Sequence, residues 1–283
     1  MESHVASTTS YQLTKVNKIK LKKVTSSSVA IRITIFVLFV LTVYGMINLN
    51  SKDVNFIAAC KDFLINLNKM FFELNYTHFT FQEAIYQIAV TLGLAFLTTL
   101  MGSFFALILG LFAAQNLSNK RVSILIKGFV AFIRAVPTVL WVLVFAVAAG
   151  LGSVAAVIGM TFHTIGYLIK AYSESFEELD KGTIEALKAS GANWWQIVFQ
   201  AILPSSITYI LSWTFIRFEI NFTNAVAMGA AAGAGGIGFE LFMASGFYFD
   251  IREVGFITFL IVIVAIILEV LSTKIKNRFL VNL

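Results

Sequence analysis

Six runs of roughly twenty or more apolar residues limit this chain more than any other feature. A helix rises 1.5 Å per residue, so about twenty apolar residues cross the hydrocarbon core of a bilayer. The runs lie at roughly 29–49, 84–114, 123–149, 152–172, 205–229 and 254–273. The second and third are long, which predicts tilt or protrusion. In lipid a backbone must satisfy its own hydrogen bonds, and runs of this length do so as helices. The chain therefore reads as an all-α polytopic membrane protein with about six transmembrane helices. Charge agrees: only 13% of its 283 residues are charged, against about 25% in soluble domains. The first 28 residues are polar and basic and lack the short apolar core and cleavage site of a signal peptide. The single cysteine, Cys60, makes no intrachain disulfide and reads as a packing residue.

Lys and Arg set the orientation. The tail carries Lys15, Lys18, Lys20, Lys22 and Lys23, with Arg32 at the membrane edge. Lys120, Arg121 and Lys127 follow the second run, Lys170, Lys181 and Lys188 follow the fourth, and Lys274, Lys276 and Arg278 follow the sixth. With both termini cytoplasmic, these fifteen lie inside, and only Lys52, Lys61, Lys69 and Arg252 lie outside. The net charge of +6 is then a topology signal, and no nucleic-acid partner is expected. The chain divides into a basic tail (1–28), a first span with an outer segment (29–83), a core (84–275) and a short cytoplasmic tail (276–283).

Two segments outside the spans carry information. Residues 56–74 place Ile57, Cys60, Phe63, Leu64, Leu67 and Phe71 at helical spacing, which predicts an amphipathic helix on the outer surface. Thr80 and Glu83 then have capping-box spacing, a start signal for the second span. Between spans four and five, residues 173–204 predict a helix holding Ile184, Leu187 and Lys188, a break at Gly191, and a second helix from Trp194 to Ile202. Pro204 punctuates the return to the membrane. Two tryptophans there fit either a docking surface or a helix pair lodged in lipid headgroups.

GAGGIG, Gly233 to Gly238, matches G-x-G-x-x-G, which binds a dinucleotide when it joins a strand to a helix. Here it follows an apolar span, and no G-x-x-x-x-G-K-[ST] occurs. Gly233, Gly235, Gly236 and Gly238 instead predict tight turns and close helix approach where spans five and six meet, with gating as a further role.

Charges within spans are costly, about 2.5–3.5 kcal/mol each on insertion scales, and should face protein or water. Arg217 and Glu219 point some 200° apart and need separate partners. Arg217 shares a face with Asn221 and Asn224, which suits an oxyanion path; the other reading gives Arg217 a structural carboxylate or carbonyl partner. Glu219 is expected to pair with a neighbouring helix. Arg134 precedes Pro137, where a lost helix hydrogen bond predicts a free carbonyl and a kink. His163 reads as an interhelical hydrogen-bonding residue or a substrate contact. No catalytic triad, metal-ligand spacing or carboxylate cluster appears in the spans, so no enzyme chemistry and no metal or other cofactor is expected in this chain.

Glu185-Ala186, Gly191 and Leu203-Pro204 resemble the E-A-A-x3-G-x9-I-x-L-P loop of ABC-importer permeases, with Leu187 and Ala201 as departures. RAVPTVLWVLVFAVAAGLG from Arg134, FHTIGYLIKAYSESFEELDKGTIEALKASGA from Phe162, and FIRFEINFTNAV through GAGGIG are similar to the phosphonate-type branch, over roughly 80–275. The resemblance implies a type I importer permease of the bacterial cytoplasmic membrane. It implies coupling helices that sit in a groove of a cytoplasmic ATPase, so that Glu185, Ala186, Gly191, Leu203 and Pro204 become coupling residues. It also implies ATP and Mg held by the ATPase, two permease copies, two ATPases and an extracytoplasmic solute-binding protein. Arg134, Pro137, His163, Arg217, Glu219, Asn221, Asn224 and the four glycines are then path or gate candidates. The expected cargo is a phosphonate or related phosphorus oxyanion. Rival readings are another small solute (phosphate, phosphite, an amino acid or a thiamine-like compound) and a membrane enzyme using GAGGIG.

Overall fold

A computed structural model describes residues 26–48 and 55–280. Lys15, Lys18, Lys20, Lys22, Lys23 and Lys52, and the side chain of Arg278, lie outside the described residues. The chain forms two units, Met1–Ala59 and Cys60–Leu283. In the first, α1 (Ser26–Asn48) is a 23-residue apolar helix that buries none of its side chains within the protomer.

The second unit holds the end of α2 (Phe56–Phe72) and then α3 (Phe81–Ala113), α4 (Lys120–Ala135), α5 (Thr138–Ala149) and α6 (Ser153–Glu177). It continues through α7 (Lys181–Ala189), α8 (Trp194–Ile197), a π-helical turn (Val198–Ile202), α9 (Leu203–Ala232), α10 (Ile237–Gly246) and α11 (Ile251–Leu280). The expected capping box starts α3. Glu83 N–H donates to Thr80 Oγ1 at 3.2 Å, and Thr80 N–H donates to the Glu83 carboxylate at 2.6 Å.

Helices α3, α6 and α9 pack pairwise and make the centre of this unit. Little hydrophobic driving force separates lipid from protein inside a bilayer, so close packing must come from small residues. Along α3 most buried positions are small (Ala84, Thr91, Ala95, Thr98, Thr99, Gly102, Ala106, Gly110 and Ala113, with Ile88 and Leu111 as the bulky ones), while Phe96, Leu100 and Phe104 turn outward. The amphipathic outer helix is present as expected. Its C-terminal end lies on α11, where Phe71 meets the Phe259 ring edge-on and Arg252 bonds Glu73 at 2.6 Å.

Two expectations about the spans need correction. The third run is not one straight helix: α4 and α5 meet at 91° around Val136–Pro137. Among the described residues, five helices (α1, α3, α6, the α8–α9 run and α11) are long and apolar enough to cross a membrane, and the bent pair makes a sixth when counted as one. Helix α6 continues past Tyr172 to Glu177, so the first residues of the segment 173–204 are helical. Pro204 does not break the helix, because the π turn carries the chain from α8 into α9 without interruption. In that turn Leu203 N–H bonds Val198 O, five residues back. A π turn relaxes the i→i−4 register, and Pro204, which has no N–H, is accommodated there.

Candidate coupling helix and translocation path

Helix α7 is short, capped and mostly exposed. Asp180 Oδ2 accepts from Thr183 N–H at 3.1 Å and starts it. Ile184 is buried and Leu187 half-buried, while Glu185, Ala186 and Lys188 face outward. The helix ends where Gly191 takes φ +87°, and its N–H returns to Lys188 O at 3.0 Å. A side chain at position 191 would meet nothing within 4 Å, so backbone conformation alone demands glycine there. Asn193 and Gln196 form a second capping box that starts α8.

The two tryptophans do different work. Trp194 turns inward: its indole N–H donates to Leu117 O at 2.9 Å, and its ring stacks on Phe112 at 5.6 Å. It anchors α8 to the α3–α4 turn. Trp195 turns outward, 59% exposed, and stacks with exposed Phe199 at 6.0 Å. An exposed face of Glu185, Ala186 and Lys188 thus stands beside an exposed aromatic pair.

At the other end of α9 the glycines make a turn. Gly233 caps α9 in the left-handed conformation, and Gly235 and Gly236 also have positive φ. Gly236 supplies no cap for α10, so Thr91 of α3 does: its hydroxyl accepts from Ile237 N–H at 3.0 Å and donates to Gln87 O at 2.9 Å. A Cβ at Gly236 would collide with that hydroxyl, and one at Gly238 would overlap Val226 O. The glycines therefore fold α10 tightly against α9 and α3. The sequence reading of a turn with close approach holds, although the partner is the short helix α10, which the hydrophobic runs did not reveal.

Pro137 leaves Ile133 O without its i→i−4 donor, and Trp141 replaces it, its indole N–H donating at 3.0 Å. The carbonyl expected to be free is therefore satisfied, and the chain turns sharply instead of kinking. Arg134, in the last turn of α4, is exposed.

Arg217 is 2% exposed, and no carboxylate lies within ion-pair distance of it among the described residues. Its Nε and Nη2 donate to Thr164 Oγ1, both at 3.2 Å. Nη2 also donates to His163 Nδ1 at 3.1 Å, so that nitrogen carries a lone pair. The guanidinium lies over the Tyr167 ring at 4.9 Å, a cation–π contact. The Thr164 hydroxyl donates to Asn221 Oδ1 at 3.1 Å, Asn221 Nδ2 donates to Thr99 Oγ1 at 2.9 Å, and Thr99 donates to Ala95 O at 2.7 Å. One directed chain of donors thus crosses from α9 through α6 to α3. The carboxylate or carbonyl partner considered for Arg217 is replaced by two α6 side chains and a ring. Glu219 has no ion-pair or hydrogen-bond partner among the described residues, contrary to the pairing expected of it, and it is half-buried like Asn224.

Residues 106–280 match the family model described as "Binding-protein-dependent transport system inner membrane component". The chain belongs to this family. Among relatives, the phosphate-import permease protein PhnE of Mycolicibacterium smegmatis is 30% identical over 67% of this chain and 36% of its own length. The phosphite transport system permease protein PtxC of Stutzerimonas stutzeri is 29% identical over 67% of this chain and 68% of its own. This chain therefore spans only about a third of the first of these relatives. The MetNI methionine ABC transporter in an inward-facing form shares the fold, with TM-score 0.65, 20% identity, and coverage of 72% of this chain and 99% of that one. An amino acid ABC transporter crystallised with histidines gives 0.57 at 16% identity over 80% of this chain and 99% of that one. The chain is a multi-pass membrane protein of this inner-membrane component family.

Within this family member, the structure brings Arg217, His163 and Asn221 into one network, and it places Gly191 with Glu185 and Ala186 on one exposed segment. Arg134 and Pro137 lie at the α4–α5 bend, and Arg134 lines a cavity together with Tyr167 of that network. Thr99, Thr164, Tyr167, Thr91 and Trp141 were not foreseen. Threonines within apolar runs gave a signal, since a hydroxyl in lipid needs a partner, but not which helix would supply it.

Proposed function

We propose that this chain is the permease subunit of an ATP-binding-cassette importer for a phosphonate or related phosphorus oxyanion. Two copies form the path, two ATPases dock inside, and an extracytoplasmic binding protein delivers the solute. Both termini are cytoplasmic, and ATP and Mg are held by the ATPases. The observation that carries the reading is the exposed α7 segment joined to membrane helix α9 through Gly191, α8 and an unbroken π turn. Such a segment can pass a push from an ATPase into the membrane as a two-state motion. Glu185, Ala186 and Gly191 form the docking element, and Leu203 and Pro204 belong to the lever behind it.

The names of the relatives, phosphate and phosphite permeases among them, support a phosphorus oxyanion. Arg217 supports it too. In the protomer it is too buried to touch a passing anion, so we assign it the role of a fixed positive potential, felt over distance in low dielectric. Proteoliposomes holding the chain, its ATPase and its binding protein test the cargo. ATP-driven uptake of phosphite or methylphosphonate that excess methionine leaves unchanged is expected; uptake of methionine alone would reassign the substrate. Orientation is tested by labelling. In a Cys60→Ala background, Ser190→Cys should react only with a membrane-permeant thiol reagent, and Asn66→Cys with an impermeant one. The reverse pattern would invert the topology.

A further inference from the structure

Between α4 and α6, on the same side of the bundle as α7 and α8, lies a groove with a cavity of about 290 Å³. Lys127 and Arg134 line it from α4, and Lys170, Ser173 and Glu174 from α6. Its floor is apolar, since Val130 and Ile169 are 4% and 1% exposed. A second cavity of about 120 Å³ shares Arg134, Lys170 and Glu174 and adds Tyr167 and Trp213.

The charges here do not cancel. Lys127 bonds Glu177 at 2.8 Å, a pair that fixes the end of α6, where Glu177 also accepts from Gln115 N–H at 2.8 Å. Lys170 is only loosely held by Glu174, at 3.6 Å, both side chains being more than half exposed. Arg134 has no carboxylate within 4.0 Å among the described residues, yet it reaches both cavities. The carbonyl end of α4 accounts for one cation in its last turn. It does not account for a second cation, Lys170, which lines both cavities from α6 beside the single carboxylate of Glu174.

We propose that this groove is a binding site for a phosphate group, gripped by Arg134 and Lys170, with Lys127 adding charge from one side. Arg supplies a planar fork that suits two oxygens of a tetrahedral oxyanion, and Lys a mobile point charge. The oxyanion is a free phosphate-type anion on the coupling-helix side or the headgroup of an anionic lipid, since basic pockets between membrane helices also take lipid phosphates. The site adjoins the Arg217 network through Tyr167, which lines the second cavity, and does not depend on what the importer carries.

The test uses the full chain assembled with its ATPase in nanodiscs. In phosphatidylcholine discs, equilibrium binding of radiolabelled inorganic phosphate is measured. In a second arm, discs containing phosphatidylglycerol are delipidated stepwise, and retained lipid is counted by native mass spectrometry. The variants are Arg134→Gln with Lys170→Gln, Arg134→Lys, and Lys61→Gln as a control far along the chain in α2. A loss of at least tenfold in the double variant, partial retention in Arg134→Lys, and no change in Lys61→Gln are expected in one arm. The phosphate arm would assign a free anion and the lipid arm a headgroup. Equal binding by wild type and the double variant in both arms, with complex yields matched, would overturn the site.

Discussion

The two ends of α9 meet opposite demands with residues whose usual roles are exchanged. At the coupling end stands Pro204, an ordinary helix breaker, yet the helix passes through it by way of a π turn. At the other end Gly233, Gly235 and Gly236 do break the helix, and α10 folds back so tightly that Gly238 lies on Val226. The first end must carry a displacement from a docking segment into the membrane, and continuity serves that. The second must hold α10 against α3 and α9, and a turn without side chains serves that. Between the two ends, Arg217 and Asn221 tie α9 to α6 and α3. On this account α9 is a lever, gripped at its middle and anchored at its far end.

The comparison can be broken most severely at the glycine end. Gly238→Leu would force Val226 and its backbone aside, and overpacking of this kind costs about 1–3 kcal/mol or more. We expect little assembled complex, measured by fluorescence-detected size exclusion; normal yield and thermal stability would contradict the close approach. Gly236→Ala adds left-handed strain and displaces the Thr91 cap, so it should lower stability by about 1–3 kcal/mol. Thr91→Val should reproduce part of that loss.

A smaller effect is expected at the α4–α5 bend. Trp141→Phe keeps an aromatic ring but removes the donor to Ile133 O, and an orphaned carbonyl costs about 1–3 kcal/mol. A thermal shift within error would mean that the bend does not need this bond. The smallest effect falls at the coupling end. Pro204→Ala restores an N–H in a turn already organised as π, and should change stability by under about 1 kcal/mol. A large loss would show that the proline itself fixes the π turn.

Much of this was legible in the sequence, and the limits have physical causes. Lipid-length runs disclosed five of the six spans because bilayer thickness fixes their length. Pro137 marked a defect, but neither the 91° bend nor the Trp141 donor, eight residues from Ile133, that satisfies the freed carbonyl is identified by a local pattern. Helix α10, only ten residues long, is too short to register as a span. At Arg217 the i, i+4 spacing correctly placed Asn221 on the same face. Which way that face pointed was set by Thr164 and Thr99 on other helices, and tertiary packing alone decides that. Gly191 was the clearest signal, because positive φ in an open loop has one common solution.

The central claim is that α7 transmits ATPase motion into α9 through the Gly191 turn, and one measurement tests it most directly. ATP hydrolysis and phosphite uptake are measured together in proteoliposomes for wild type, Gly191→Asn and Gly191→Val. A side chain at 191 meets open space, so neither variant loses packing; Val at φ +87° carries backbone strain, and rates are therefore compared per assembled complex. Asn tolerates the left-handed conformation and Val does not. The account predicts that Gly191→Asn keeps a substantial part of coupled uptake, while Gly191→Val loses uptake at least tenfold and no longer retains the ATPase on co-purification. Wild-type uptake per hydrolysed ATP in Gly191→Val, with the ATPase still bound, would contradict it.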